Sequence, residues 1–140
     1  MEFSTARRPT VVLVDDHPGF LPSIRRIMQT ECDVVATLEN GQQAIDTVCA
    51  LRPDIVVLDI AMPVVNGLAA ARRIREAGAN AKIVFLTVME DIEYASAARE
   101  LDASYIVKRR MHEDLMKAVR MALAGKHFCS PMRSGASNPQ

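Results

Sequence analysis

The sequence predicts a doubly wound α/β domain, a five-stranded parallel sheet of the flavodoxin-like kind with helices on both faces. Short runs rich in Val and Ile alternate with segments of helical spacing from one end of the chain to the other. The runs are continuously apolar, as strands buried on both faces are, and strict β-α alternation calls for right-handed crossovers between parallel neighbours. Asn-Gly pairs and isolated glycines fall where helices should open and close.

Val11-Val12-Leu13-Val14 reads as the first strand, stopped at once by Asp15-Asp16, and Leu21, Ile24, Ile27 and Met28 mark one face of the first helix. Val34-Val35-Ala36 is the second strand, and Ala44, Ile45, Val48 and Leu51 the next helical face, opened by Asn40-Gly41. Ile55-Val56-Val57-Leu58 runs into Asp59, and Asn66-Gly67 opens a helix marked by Leu68, Ala71 and Ile74 and followed by Gly78. Ile83-Val84-Phe85-Leu86 ends in Thr87, ahead of a helix marked by Ile92, Ala95, Ala98 and Leu101. Tyr105-Ile106-Val107 ends in Lys108, and Leu115, Met116, Val119, Ala122 and Leu123 form the last helix before Gly125.

The 140 residues suit one domain, expected over residues 10–125, with 126–140 as a linker-like tail whose final nine residues are rich in Ser, Asn, Pro and Gly. With 49% hydrophobic and 24% charged residues the chain is neither disordered nor fibrous, and its zero net charge gives no global field for nucleic acid or anionic membrane. Cys32, Cys49 and Cys129 are odd in number and far apart, which fits a reducing cytoplasm and no zinc or disulfide framework. No secretory signal is expected at residues 1–10, and no apolar run approaches the ~20 residues of a membrane helix.

Open α/β sheets bind ligands beyond the carboxyl ends of their strands. Here those ends carry Asp15, Asp16, Asp59, Thr87 and Lys108. Any one alone reads as a solvated strand end or a helix cap, but together they crowd one rim. Like charges at ~4 Å with an effective dielectric of ~20 repel by about 4 kcal/mol, so three carboxylates need compensation. Mg²⁺ (or Mn²⁺) held by Asp15 and Asp16 provides it, leaving Asp59 as an aspartyl-phosphate nucleophile supported by Lys108 and Thr87. Three carboxylates, one lysine and one divalent cation sum to a neutral site, and phosphorylation of Asp59 leaves one excess negative charge to draw the Thr87 hydroxyl inward.

The segments VVLVDDH, IVVLDIAMPVVNG, FLT and YIVK resemble the receiver domain of two-component response regulators, from about Thr10 to about Gly125. The resemblance implies strand order 2-1-3-4-5 and Asp59 as phosphoacceptor fed by a sensor histidine kinase. It implies that the backbone carbonyl of Ala61 completes the metal shell and that Tyr105 is a switch aromatic, turning inward when Thr87 moves. Val88 is bulkier than the alanine many relatives carry and is expected to crowd that inward position. Ser104 stands where many receivers have glycine.

His127-Phe128-Cys129-Ser130-Pro131 resembles the start of the linker in NarL/FixJ (LuxR-type) regulators, yet only nine residues follow Pro131, too few for a helix-turn-helix. The expected function is thus a phosphorylation-dependent cytoplasmic signalling switch rather than an enzyme. The alternative is the receiver part of a DNA-binding regulator whose output domain is missing from this chain. Partners, or a second copy, are expected on the face of the fourth helix, fifth strand and fifth helix, and DNA contact only through such an output domain. Ala61 and Met89 offer no side chain to orient an attacking water, so slow self-dephosphorylation is expected. His17 is expected to be structural, His112 and His127 exposed, the methionines gap fillers, and Arg109 and Arg110 a solvated face.

Overall fold

The computed structural model describes residues 7–133. Five strands, β1 (Thr10–Val14), β2 (Asp33–Leu38), β3 (Ile55–Leu58), β4 (Lys82–Thr87) and β5 (Ser104–Val107), alternate with α1 (Leu21–Met28), α2 (Gly41–Leu51), α3 (Gly67–Glu76), α4 (Ile92–Glu100) and α5 (Met111–Leu123). The sheet is parallel throughout and ordered β2-β1-β3-β4-β5, as the resemblance implied. Its order reverses between β1 and β3, whose carboxyl ends therefore flank a crevice. Among the described residues no helix is long and apolar enough to cross a membrane.

Two apolar layers sandwich the sheet, built from alternate residues of the central strands. Val12, Val56, Ile83 and Phe85 pack with Ala44, Val48, Ala71 and Ile74 of α2 and α3. Val11, Leu13, Val57 and Leu86 pack with Ile24, Met28, Leu115 and Val119 of α1 and α5. The continuous-burial expectation holds for four strands and fails for β2, whose residues are all exposed or half-buried and where Val35 is 44% exposed. β2 is an edge strand, so its outer flank has no neighbour.

The expected punctuation has a physical form. The side chains of Asn40 and Asn66 accept from the amides of Gln43 and Ala69, capping α2 and α3. Gly78 and Gly125 take φ of 80° and 81° just beyond α3 and α5, the left-handed conformation that glycine adopts at no steric cost.

Part of the tail is structured. Phe128 to Ser130 lies along the outer edge of β5: Tyr105 N donates to Phe128 O at 2.9 Å and Ser130 N to Tyr105 O at 2.8 Å. Ser104, which stands where many receivers have glycine, accepts from Phe128 N through its hydroxyl at 3.0 Å. Ser130 is buried, and its hydroxyl donates to Asp114 on α5 at 2.8 Å. The tail reading for residues 134–140 lies outside the described residues.

Arg109 and Arg110 are not a plain solvated face. Arg110 reaches the buried Asp114 one turn along the helix, and Arg109 grips Glu90 with two hydrogen bonds of 2.9 Å. Glu90 also accepts from the Arg133 amide at 2.9 Å. The Arg109 hydrogen bond, then the Arg133 amide, hold the Glu90 carboxyl down at about 2 against an ordinary 4.5. A lowered carboxyl contributes stability that is complete above about pH 4.5 and disappears as pH falls through about 2. Melting of Glu90→Gln and the parent should therefore differ at neutral pH and converge in acid. A pH-independent difference would contradict this coupling.

Candidate functional site

The register of the central strands assembles the site. Val14 pairs with Leu58, so Asp15 and Asp59, the next residues on each strand, arrive side by side, and Asp59 N donates to Val14 O at 3.0 Å. Both carboxylates are buried, at 1% and 2% exposure. Thr87 ends β4 fully buried, and Lys108 begins the 3₁₀ turn (Lys108–Arg110) after β5 at 4% exposure. The four side chains predicted from separate strand ends thus meet on one rim. Asp16 joins them half-buried.

Lys108 is the electrostatic centre of this rim. Its Nζ lies 2.6 Å from Asp15 Oδ2 and donates to Asp59 Oδ2 at 3.2 Å. The Phe20 ring covers the same ammonium, with its centroid 4.0 Å away, a cation–π contact that the sequence did not reveal. Asp15 Oδ1 accepts from His17 N at 2.8 Å and Asp59 Oδ1 from Ala61 N at 3.3 Å, which fixes both carboxylates in orientation.

One lysine against three carboxylates leaves the cluster two charges negative. Asp15 Oδ2, despite its ion-pair contact with Lys108, and Asp16 Oδ1 are buried oxygens with no hydrogen bond of acceptable geometry. Ligand atoms of Asp15, Asp16, Asp59 and His17 all lie within 4.8 Å of one another. Unsatisfied buried carboxylate oxygens facing one point are what a hard oxygen-seeking dication requires, so the donor set fits Mg²⁺. His17 is closer to this cluster than its structural reading implied: Nδ1 lies 3.1 Å from Asp16 Oδ1, 3.4 Å from Asp15 Oδ1 and 3.7 Å from Asp59 Oδ2, on a half-exposed ring. His112 and His127 are exposed, as expected.

The loop between β3 and α3 shapes the other wall. Gly67 packs so closely under Asp59 that a Cβ there would sit 2.1 Å from Asp59 O. Val64, fully exposed, adopts φ of 67°, a left-handed conformation that costs a β-branched residue roughly 1–3 kcal/mol. Ala61 is exposed beside Asp59.

Thr87 Oγ accepts from Met89 N at 3.3 Å, so its hydroxyl hydrogen is free to turn toward the crevice. Tyr105 is buried at 1% exposure with its hydroxyl donating to Met89 O at 2.6 Å. The ring already occupies the inward position, and burial pushes its phenol above the ordinary range, so it stays a donor. Val88 does not crowd it, because that side chain points outward at 57% exposure.

Comparison with known proteins gives one consistent result. Residues 11–120 match the response regulator receiver domain family. Over 124 residues the chain is 34% identical to the nitrate/nitrite response regulator protein NarL of Escherichia coli, covering 86% of this chain and 57% of that protein. It is 32% identical to the transcriptional regulatory protein DegU of Brevibacillus brevis, covering 86% and 52%. The chain thus spans about half the length of the curated relatives it matches. Among solved structures, a LuxR-family two-component response regulator from Aurantimonas superimposes with a TM-score of 0.83 at 32% identity, covering 89% of this chain and 91% of that one. The receiver domain of RcsB from Salmonella enterica, solved with the phosphomimetic BeF₃⁻, gives 0.80 at 25% identity, covering 89% and 94%.

Proposed function

We propose, from the premise that this chain belongs to the response regulator receiver domain family and is a receiver of the NarL/LuxR type in two-component signalling, that it switches state by accepting a phosphoryl group on Asp59. The observation that carries this reading is the buried Asp59 carboxylate, oriented by Ala61 N and Lys108 within a cluster of unsatisfied acidic oxygens. The donor is a phosphohistidine of a sensor kinase. An Asp59 oxygen forms the new O–P bond while the N–P bond breaks, and the imidazole nitrogen departs with the electron pair and takes a proton from water. On this reading the chain acts as a cytoplasmic signalling switch rather than as an enzyme.

Asp15, Asp16, Asp59 and the Ala61 backbone carbonyl would hold the divalent cation. Bound there, it supplies the positive charge that lets an anionic phosphoryl group approach three carboxylates. Lys108, already in contact with Asp59, then offsets charge on the transferred group. The Thr87 hydroxyl turns to donate to a phosphoryl oxygen, and Tyr105, tied to Met89, follows the β4–α4 loop. Replacing Asp15 or Asp16 by Asn should weaken Mg²⁺ by about tenfold or more in a calorimetric titration, because each loses a charge on a hard cation. Unchanged titrations in both variants would remove the metal from this account.

The same geometry bears on lifetime. Hydrolysis needs a water held in line with the departing carboxylate oxygen, and neither Ala61 nor Met89 carries a side chain to hold one. Self-dephosphorylation should be slow, and Ala61→Asn with Met89→Glu should speed it by about tenfold if the transition state gains ~1.4 kcal/mol. Phosphate release from the isolated phosphoprotein measures this. Fast decay of the parent, or no change in the double variant, would contradict it.

Output runs through the face of α4, β5 and α5, to a partner or a second copy, and to DNA only through a separate output domain. The chain itself carries no net charge to provide a nucleic-acid surface.

A further inference from the structure

The outer edge of β5 holds the chain's own segment from Phe128 to Arg133, and we propose that this hold is a clasp controlled by phosphorylation, in which Glu90 reports the position of Thr87 to residues 131–133. The trigger rests on the reading of Asp59 given above.

The clasp has two parts of different character. Phe128 to Ser130 is anchored as a strand by the Tyr105 backbone, the Ser104 hydroxyl and the buried Ser130–Asp114 hydrogen bond. Ser130 Oγ also accepts from Val107 N at 3.3 Å, and Lys117 Nζ lies 4.8 Å from the centre of the Phe128 ring. Among the described residues no hydrogen bond or ion pair runs from this first part to the β4–α4 loop, which Tyr105 of β5 reaches with its hydroxyl. The second part is joined to that loop. The Glu90 carboxylate accepts from the Arg133 amide, and it grips Arg109, whose Nη2 donates to Pro131 O at 3.3 Å. Pro131 and Arg133 are exposed and Met132 packs against the core, and Glu90 holds this stretch from the solvent side, directly and through Arg109.

Glu90 stands three residues beyond Thr87, and the residue before it, Met89, is fastened at both its amide and its carbonyl. Met89 N donates to Thr87 Oγ, and Met89 O accepts from Tyr105 OH. When the Thr87 side chain is drawn toward a phosphoryl oxygen to donate to it, Oγ itself moves and the 3.3 Å contact from the Met89 amide is lost. The loop then re-forms around the phosphoryl group, carrying Glu90 away from Arg133. Charge-assisted hydrogen bonds are sensitive to such displacement because their strength depends on short, aligned contacts. Residues 131–133 are thereby released while Phe128 to Ser130 stays paired with β5. The device explains why Ser104, Asp114 and Glu90 are placed as they are, although none touches the phosphoryl site.

The test is hydrogen exchange on the whole chain, read at the Ser130 and Arg133 amides by NMR, with and without Mg²⁺ and beryllofluoride. Fluorine NMR reports beryllofluoride bound at Asp59. With it bound, Arg133 should exchange about tenfold faster and Ser130 should be unchanged. In the unligated chain, Glu90→Gln and Thr87→Val should each loosen Arg133 in the same direction, and beryllofluoride should add nothing to either. Equal Arg133 exchange with and without bound beryllofluoride overturns the proposal. So does a Thr87→Val variant that exchanges like the parent while Glu90→Gln is fast, since the clasp would then exist without its connection to Thr87. If beryllofluoride fails to bind, it is the reading of Asp59 that falls, and the connection is judged from the two variants alone.

Discussion

Asp59→Asn is expected to abolish stable phosphoryl incorporation from acetyl phosphate, with the intact mass of the variant unchanged after a treatment that modifies the parent. Asp59 is the one carboxylate of the cluster that both touches Lys108 through a hydrogen bond and has its other oxygen fixed by a backbone amide. An amide nitrogen in place of an oxygen removes the nucleophilic lone pair and one negative charge, while hardly altering shape. Asp15 has its own fixing contact, from His17 N, but its remaining oxygen lies 2.6 Å from the lysine in an ion pair, which suits a charge partner more than an attacking group. The variant should remain folded, because it relieves repulsion among buried like charges. Modification of Asp59→Asn at the parent's rate would contradict the assignment.

Gly67→Ala is expected to damage both stability and phosphorylation, although Gly67 carries no chemistry. Its added Cβ would lie 2.1 Å from Asp59 O and 2.8 Å from both Asp59 C and Ile60 Cα, and backbone cannot rotate away as a flexible side chain can. Overpacking of this kind costs about 1–3 kcal/mol, occasionally more, and backbone obstruction puts this case at the upper end. For a domain of this size that is a fall of roughly 10 °C in Tm. The α3 N-terminus, capped by Asn66, would be pushed off the strand that carries the phosphoacceptor. Gly19, with open space around it, is the control: Gly19→Ala should leave both properties near the parent's. Thermal melts paired with acetyl phosphate labelling check this, and a Gly67→Ala melt matching the parent's would count against the close packing described.

The difference between these two predictions reflects what a sequence displays. Asp15, Asp59, Thr87 and Lys108 were legible because each follows an apolar strand whose end is marked by the loss of hydrophobicity, and parallel strands deliver their carboxyl ends to one rim. Asn40 and Asn66 were legible because capping is local. The burial of β2 was misread because three apolar residues in a row look the same at an edge as at the centre, and only sheet order separates them. Phe20 over Lys108 was invisible for a related reason: the two are far apart in sequence, and a lone aromatic in a loop has no period. Ser104 and Ser130 were hidden more deeply, since a hydroxyl that holds a backbone across 24 or 23 residues looks like any other serine until the partner is placed. Arg109 and Arg110 looked like a solvated pair because their acidic partners lie on a different loop and one helical turn away.

The central claim is that the phosphoryl group resides on Asp59. Borohydride reduction converts an aspartyl phosphate to homoserine, so treating the phosphorylated chain with borohydride and mapping its peptides by mass locates the acceptor. The account predicts homoserine at position 59 and intact aspartate at 15 and 16, with no such product in chain incubated without phosphodonor. Homoserine at Asp15 or Asp16, or a phosphoryl group that survives borohydride and maps to His17, would contradict it.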